Sequence, residues 1–245
     1  MNSENTQNPP LPVWQYDEMK HSGVDYQDAV IAAAYDERHG AFRDYEADAR
    51  LIVERLGLGA SDTVIDLGCG TGAFVLTAAR LCKKIHAVDV SRAMLERLAD
   101  KAVKARLSNI ETHHAGFLTY EHTDAPADAI VSVAALHHLP DFWKAVALQR
   151  MRSMLKPEGK LYLFDVVFTF SADEHRFEFD RWVDGMRQKA DESMAEETIA
   201  HIRDEFSTFD WILKGLLDRA GFRIEHTFHD FPLCMTCICA KNAPD

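Results

Sequence analysis

The chain has 245 residues, 47% apolar and 10% aromatic, which is ample for one elaborated domain and argues against extended disorder. Asp and Glu number 39 against 27 Lys and Arg, a formal charge of −12 that repels nucleic-acid phosphate and anionic membranes unless a basic patch intervenes, and the sequence has no such patch. The longest apolar stretch, 129–136, contains Ser132 and is far short of a membrane span.

The opening residues, MNSENTQNPPLP, carry no basic region followed by an apolar one, so no export signal is expected and the expected compartment is the cytoplasm. Residues 1–13 are expected to be a mobile tail, and residues 14–245 a single domain. From Asp25 to Leu56 apolar positions including Val30, Ala33, Tyr45, Ala49, Ile52 and Leu56 recur at intervals of mostly three or four. This predicts an N-terminal helical cap over 14–56, interrupted near Gly40 and closed by Gly57 and Gly59.

The rhythm then changes to short apolar runs, predicting strands at 63–67, 85–90, 110–114, 129–133 and 160–168 with helices at 73–82, 91–105 and 141–155 between them. Such alternation implies right-handed βαβ crossovers and a mostly parallel, doubly wound sheet, which binds ligands at the carboxyl ends of its strands. Residues 171–206 break the pattern with 11 acids against 5 bases and read as a helical insert or lid. A helix over 208–220, with Ser207 or Thr208 as its N-cap, Gly221 as its stop and strands at 222–228 and 233–240, completes the chain as an antiparallel hairpin turning through Asp230 and Pro232.

The segment Val64-Ile65-Asp66-Leu67-Gly68-Cys69-Gly70-Thr71-Gly72-Ala73 runs from strand through glycines into a helix, letting backbone approach a ligand where side chains would collide. Asp89 follows Gly68 by 21 residues at the end of the next strand, where a carboxylate can accept both ribose hydroxyls. Gly68, Gly70 and Ala73 also satisfy a nicotinamide-dinucleotide fingerprint. Asp66 decides between the two: a carboxylate before the loop sits poorly beside pyrophosphate but suits the ammonium and sulfonium of S-adenosylmethionine.

These residues resemble the class I S-adenosylmethionine-dependent methyltransferases. The resemblance runs from about Ala34 to Lys241, through Tyr35-Asp36, DLGCGTG, Val88-Asp89, Ala134-Ala135-Leu136-His137-His138-Leu139-Pro140-Asp141, Leu155-Lys156-Pro157-Glu158-Gly159 and Ala220-Gly221-Phe222. It implies a Rossmann-like α/β fold with a seven-stranded sheet of order 3-2-1-4-5-7-6, strand seven antiparallel. It also implies that Asp66, Gly68 and Gly70 hold the methionine end of the cofactor, Asp89 the ribose, and Val90 and Met94 the adenine. Cys69, Gly72 and Ala134 complete the expected cofactor set. Gly116 and Phe117 fall where the family often has an acid touching the adenine amine; that acid is missing here, leaving backbone and the Phe117 ring for the contact.

For the acceptor, His137 or His138 can serve as a general base or else cap the following turn. Tyr35 lines the site or packs in the core, and Arg43 pairs with a carboxylate of ligand or of protein. Asp165, a carboxylate inside the apolar run of the fifth strand, needs either a site role or a specific structural partner. His201 and Arg203 can face the substrate. Phe170, Phe177, Phe179 and Trp182 suggest an apolar pocket wall or helix packing. Cys234-x-x-Cys237 alternates across a strand and lacks partner ligands, and His113-His114 lacks an acidic partner, so no metal is expected. The five cysteines read as reduced thiols.

The expected activity is therefore direct methyl transfer to a small-molecule acceptor by a monomer or homodimer, with S-adenosylhomocysteine as the other product. No polar-Pro-Pro-Tyr motif follows strand four, which disfavours DNA or RNA as acceptor. A nicotinamide-dependent oxidoreductase and a non-catalytic S-adenosylmethionine-binding regulator are the rival readings.

Overall fold

The computed structural model describes residues 12–20, 22–28, 32, 35–36, 44–231 and 233–242. The tail at 1–11, the interruption at Gly40, Arg43 and the turn residue Pro232 lie outside the described residues. Helix α1 (Tyr45–Leu56) is capped by the Asp44 side chain, which accepts from the Ala47 amide, and ends at Gly57 in the left-handed conformation. The core elements follow as β1 (Thr63–Leu67), α2 (Ala73–Ala78), β2 (Lys84–Asp89), α3 (Arg92–Lys104), β3 (Ile110–His114), β4 (Ala127–Val133), α4 (Asp141–Met154) and β5 (Leu155–Phe168).

The strands pair in the order β3-β2-β1-β4-β5-β8-β7, where β7 (Phe222–Phe231) and β8 (Cys234–Lys241) are the closing hairpin. β8 runs antiparallel to both β5 and β7. This is the expected seven-strand order, with one addition. The two-residue strand β6 (Thr208–Phe209) pairs parallel with the end of β5, taking residues that helical periodicity had assigned to the next helix. That helix, α7, spans Asp210–Arg219, and its N-cap is Phe209 with no side-chain bond. Ser207 and Thr208 are not caps: Ser207 Oγ meets His201 and Thr208 Oγ1 donates to Asp141. The insert resolves into α5 (His175–Lys189) and α6 (Glu192–Asp204) after a short 3-10 turn.

Both faces of the sheet are covered, which is why its central strands are continuous apolar runs. On one face Ile52, Val53 and Leu56 of α1, Phe74 and Val75 of α2 and Leu95 and Leu98 of α3 pack on Val64, Ile85 and Val131. On the other, Leu148 and Met151 of α4 and Leu213 and Leu217 of α7 pack on Ile65, Ile130 and Leu163. By contrast, α5 buries no side chain, and Phe177 on it is 66% exposed, so that ring is no pocket wall. Phe168, Phe170 and Phe179 instead form their own cluster where the insert leaves the sheet, with Phe179 edge-on to the other two rings.

Gly72 caps α2 with φ of 88°, and a Cβ there would lie 2.3 Å from Leu98 Cδ1. The strain and the clash add, so Gly72→Ala should destabilise the fold by about 1–3 kcal/mol in urea denaturation. A loss near zero would show that the turn can relax.

Candidate active site

At the carboxyl ends of β1, β2 and β4 the chain turns tightly. The amides of Gly68 and Cys69 both donate to the Val88 carbonyl, at 2.9 and 3.0 Å, binding the glycine loop to β2. A Cβ at Gly68, where φ is 77°, would lie 2.3 Å from the Ala135 methyl, so only glycine permits this approach. Over Gly70, also in the left-handed region, there is open space within 4 Å. Ala134 adopts φ of 51° at the end of β4, a strained conformation for a residue with a Cβ.

Asp89 accepts from the Gly70 amide through Oδ2 and from the Ser91 amide through Oδ1, both at 2.8 Å, so one carboxylate shapes the loop and the start of α3 together. Ser91 caps α3 through the Met94 amide, and Met94 is buried below it. The Val90 carbonyl meets His114 Nε2 at 2.9 Å. Asp66 is 3% exposed. Burial, and then the nearby charge of Asp89, push its pKa up to about 8, and among the described residues no cation or hydrogen-bond donor offsets this. Burial likewise holds the Cys69 thiol protonated, well above its ordinary range.

After β3, an acid from the N-terminal segment stands beside Gly116. Glu18 is buried, and its carboxylate accepts from the Leu118 amide at 2.9 and 3.0 Å and from the Thr119 hydroxyl at 2.8 Å. A Cβ on Gly116 would lie 2.4 Å from that carboxylate, so this glycine makes room for it. The Phe117 ring is buried in the core beneath the glycine loop. Asp36, from the same N-terminal region, accepts from Thr71 Oγ1 at 2.5 Å and pairs with Lys101. Nothing in the local pattern around Glu18 or Asp36 announces these long-range contacts.

The far side of the site is a buried charge network. His137 Nδ1 lies 2.5 Å from Asp165 Oδ1, and Nε2 lies 3.2 Å from Glu205 Oε2. Glu205 also pairs with His201 Nδ1, whose Nε2 is 2.8 Å from Ser207 Oγ. Burial alone would depress His137, but Asp165, by charge and hydrogen bond, and then Glu205 outweigh it and raise its pKa to about 9. With a carboxylate at each nitrogen, His137 is an imidazolium with no lone pair to offer a metal, although His137, His138 and Glu205 lie at ligand-like spacing.

His138 behaves oppositely: burial, then the charge of His137, lower it to about 4 and leave it neutral. Tyr26 stands edge-on to its ring at 6.3 Å, and Tyr35 contacts Tyr26 in turn at 5.7 Å. The structure does not bring Arg203 into the network; it is exposed and forked onto Asp204. Residue 203 lies on a turn of α6 that faces solvent, whereas His201 and Glu205, four apart, share the inner face.

Residues 64–159 match the family model described as a methyltransferase domain. The chain is 28% identical over 215 residues to an uncharacterized methyltransferase of Bacillus pumilus, covering 86% of this chain and 91% of that protein. It shares its fold with an S-adenosylmethionine-dependent methyltransferase from Clostridium acetobutylicum at TM-score 0.66 and 13% identity, over 87% of this chain and 98% of that one. It is also similar in fold to the [4+2]-cyclase SpnF, at TM-score 0.67 and 17% identity, over 91% and 95% of the two chains. The fold is the one that these solved structures share. Residues 64–159 are thus similar to a methyltransferase domain, and the similarity to the Bacillus protein runs over most of both chains.

The raised pKa of His137 carries a pH signature. Stability from its ion pairs is fully present below the unfolded value of 6.5 and is lost as pH rises through about 9. Urea denaturation at about pH 6 and about pH 9 should therefore show a smaller difference for Asp165→Asn than for the parent protein. Equal differences would place the pH dependence in other groups.

Proposed function

We propose that this chain transfers a methyl group to a small molecule whose accepting atom loses its proton to His138. The carrying observation is the geometry of two adjacent histidines at the end of β4: His137 is locked between Asp165 and Glu205, and the His138 ring stands beside it at 4.5 Å without a carboxylate ion-pair partner among the described residues, so that burial, then the charge of His137, favour its neutral form. When bound, the cofactor supplies an electrophilic methyl group on a sulfonium.

The residues present fit that cofactor. Asp66 is a buried carboxylate with no cation of its own and suits a positively charged ligand, whose arrival favours the ionised form. The space over Gly70 and the glycine-only approach at Gly68 leave backbone available to the methionine end. Asp89 would hold the ribose, Val90 and Met94 the adenine, with Glu18 at Gly116 supplying the acid that follows β3 in related chains. Cys69, Gly72 and Ala134 shape the turn rather than react.

On the acceptor side, His137 fixes the position of the β4 turn, and His138 takes the proton. Asp165 and His201 act through His137 and Glu205, as positioning groups. The segment 14–56 and the insert 171–206 would cover the site as cap and lid within one domain, excluding water. Ser22 Oγ bonds the Asp204 carbonyl at 2.6 Å and Tyr26 Oη bonds Glu197 at 3.1 Å, contacts that join cap to insert. The acidic surface supports a small molecule over nucleic acid as acceptor.

Two measurements test this. Asp89→Asn should weaken S-adenosylmethionine binding by about ten- to a hundredfold in titration calorimetry, because paired hydrogen bonds to the ribose are lost. Unchanged affinity would remove Asp89 from the cofactor site. With an acceptor found by labelled-methyl screening, His138→Ala should lower kcat by about 10²-fold or more across neutral pH, while the parent enzyme loses rate only as pH falls toward about 4. A parent profile breaking near 6.5 and persisting in the variant would assign the base elsewhere.

A further inference from the structure

Three residues before Asp89, and so on the opposite face of β2, His86 belongs to a second cluster that methyl transfer does not use. It pairs across the sheet with Glu111 on edge strand β3, and His113 stands two residues further along the same face. His86 Nδ1 lies 3.1 Å from His113 Nε2, which is 3.7 Å from Glu111 Oε1. The three ligating atoms all fall within 4.8 Å of one another. His86 Nε2 is buried without a hydrogen bond, 3.4 Å from Asp124 Oδ2. His113 therefore does have an acidic partner, contrary to the sequence expectation.

We propose that His86, His113 and Glu111 form a site for a divalent transition-metal ion of the zinc class, on the sheet edge and separate from the methyl-transfer site. Two nitrogens bound at 2.0–2.1 Å stand about 3.3–3.4 Å apart in a tetrahedral site and about 2.9 Å apart at a right angle, and the observed 3.1 Å lies between them. Both imidazoles are held neutral, chiefly by burial: His86 is lowered to about 4, and His113 is lowered too. Neutral imidazoles and a carboxylate are the donor set such ions take.

In the metal-free protein the short nitrogen–nitrogen contact needs one proton, carried by one ring and accepted by the other. With Nε2 of His86 protonated toward Asp124, that proton sits on His113 Nε2. Metal binding moves it to His113 Nδ1, leaving two lone pairs on the ion and no net change in protons on the two rings. Lys84 now bridges Glu111 and Asp124, at 2.8 and 2.6 Å; it would yield Glu111 to the ion and keep Asp124. His122 stands edge-on to His86 but has both nitrogens engaged, by Tyr120 Oη and the Ala125 carbonyl, so it is a wall and not a ligand. The ion would tie edge strand β3 to β2.

The test is titration calorimetry of the full, untagged chain with Zn2+ alone in a non-chelating buffer, with thermal unfolding in parallel. The parent protein should take up one equivalent and gain Tm. His113→Gln and the surface variant Glu111→Gln, each checked for native circular dichroism, should bind at least about tenfold more weakly and lose the Tm gain. Absence of uptake by the parent, or equal uptake and equal Tm gain in the two variants, would overturn the proposal; the latter would place the ion elsewhere, as at His138 and Glu205.

Discussion

A positively charged imidazole buried between two carboxylates organises the end of this protein where β4 and β5 meet the insert. An isolated buried charge is strongly unfavourable, so His137 is tolerable only when Asp165 of β5 and Glu205 after α6 arrive together. That requirement couples the tip of β4, the middle of the sheet and the end of the insert into one unit. The backbone repeats the link, since the Phe206 amide donates to the His137 carbonyl at 2.8 Å. Buried Lys144 adds another tie, holding the Phe206 carbonyl and Asp141. Burial, and then the charge of His137, also keep its neighbour His138 neutral.

The cofactor side works by an opposite device. There compensation is withheld: Asp66 is buried with no cation beside it among the described residues, and the glycine loop leaves space where side chains would stand. Asp89, in contrast, already bonds two amides and serves as the rigid corner of the loop. A buried carboxylate thus stands beside a pre-shaped turn. The N-terminal segment completes this end with Glu18 and Asp36, so part of the site is built by residues far from it in sequence.

Parallel strands place their ligands at one end because every βα turn opens there. The glycine loop and the His137 network follow that rule, while the His86 cluster lies on the opposite face of β2 and owes nothing to it. Fold alone does not fix chemistry either, as a cyclase with the same architecture illustrates. What separates functions on this scaffold is the set of side chains at the tips of β4 and β5 and on the insert, which here are histidines and carboxylates.

Alternating apolar runs and helical periodicities by themselves determined a mostly parallel, doubly wound sheet, while its strand order was what the family resemblance implied; the glycine loop with Asp66 and Asp89 at the strand ends was legible because it depends on neighbours only a few residues or one crossover away. The sequence misassigned Thr208 and Phe209, whose helical pattern yielded to two ladder partners on β5. Only the tertiary structure decided the partners of His137, the place of Glu18 beside Gly116, the exclusion of Arg203 and the pairing of His86 with His113. Each is a contact across tens of residues, and its energy depends on burial and distance, which no local spacing encodes.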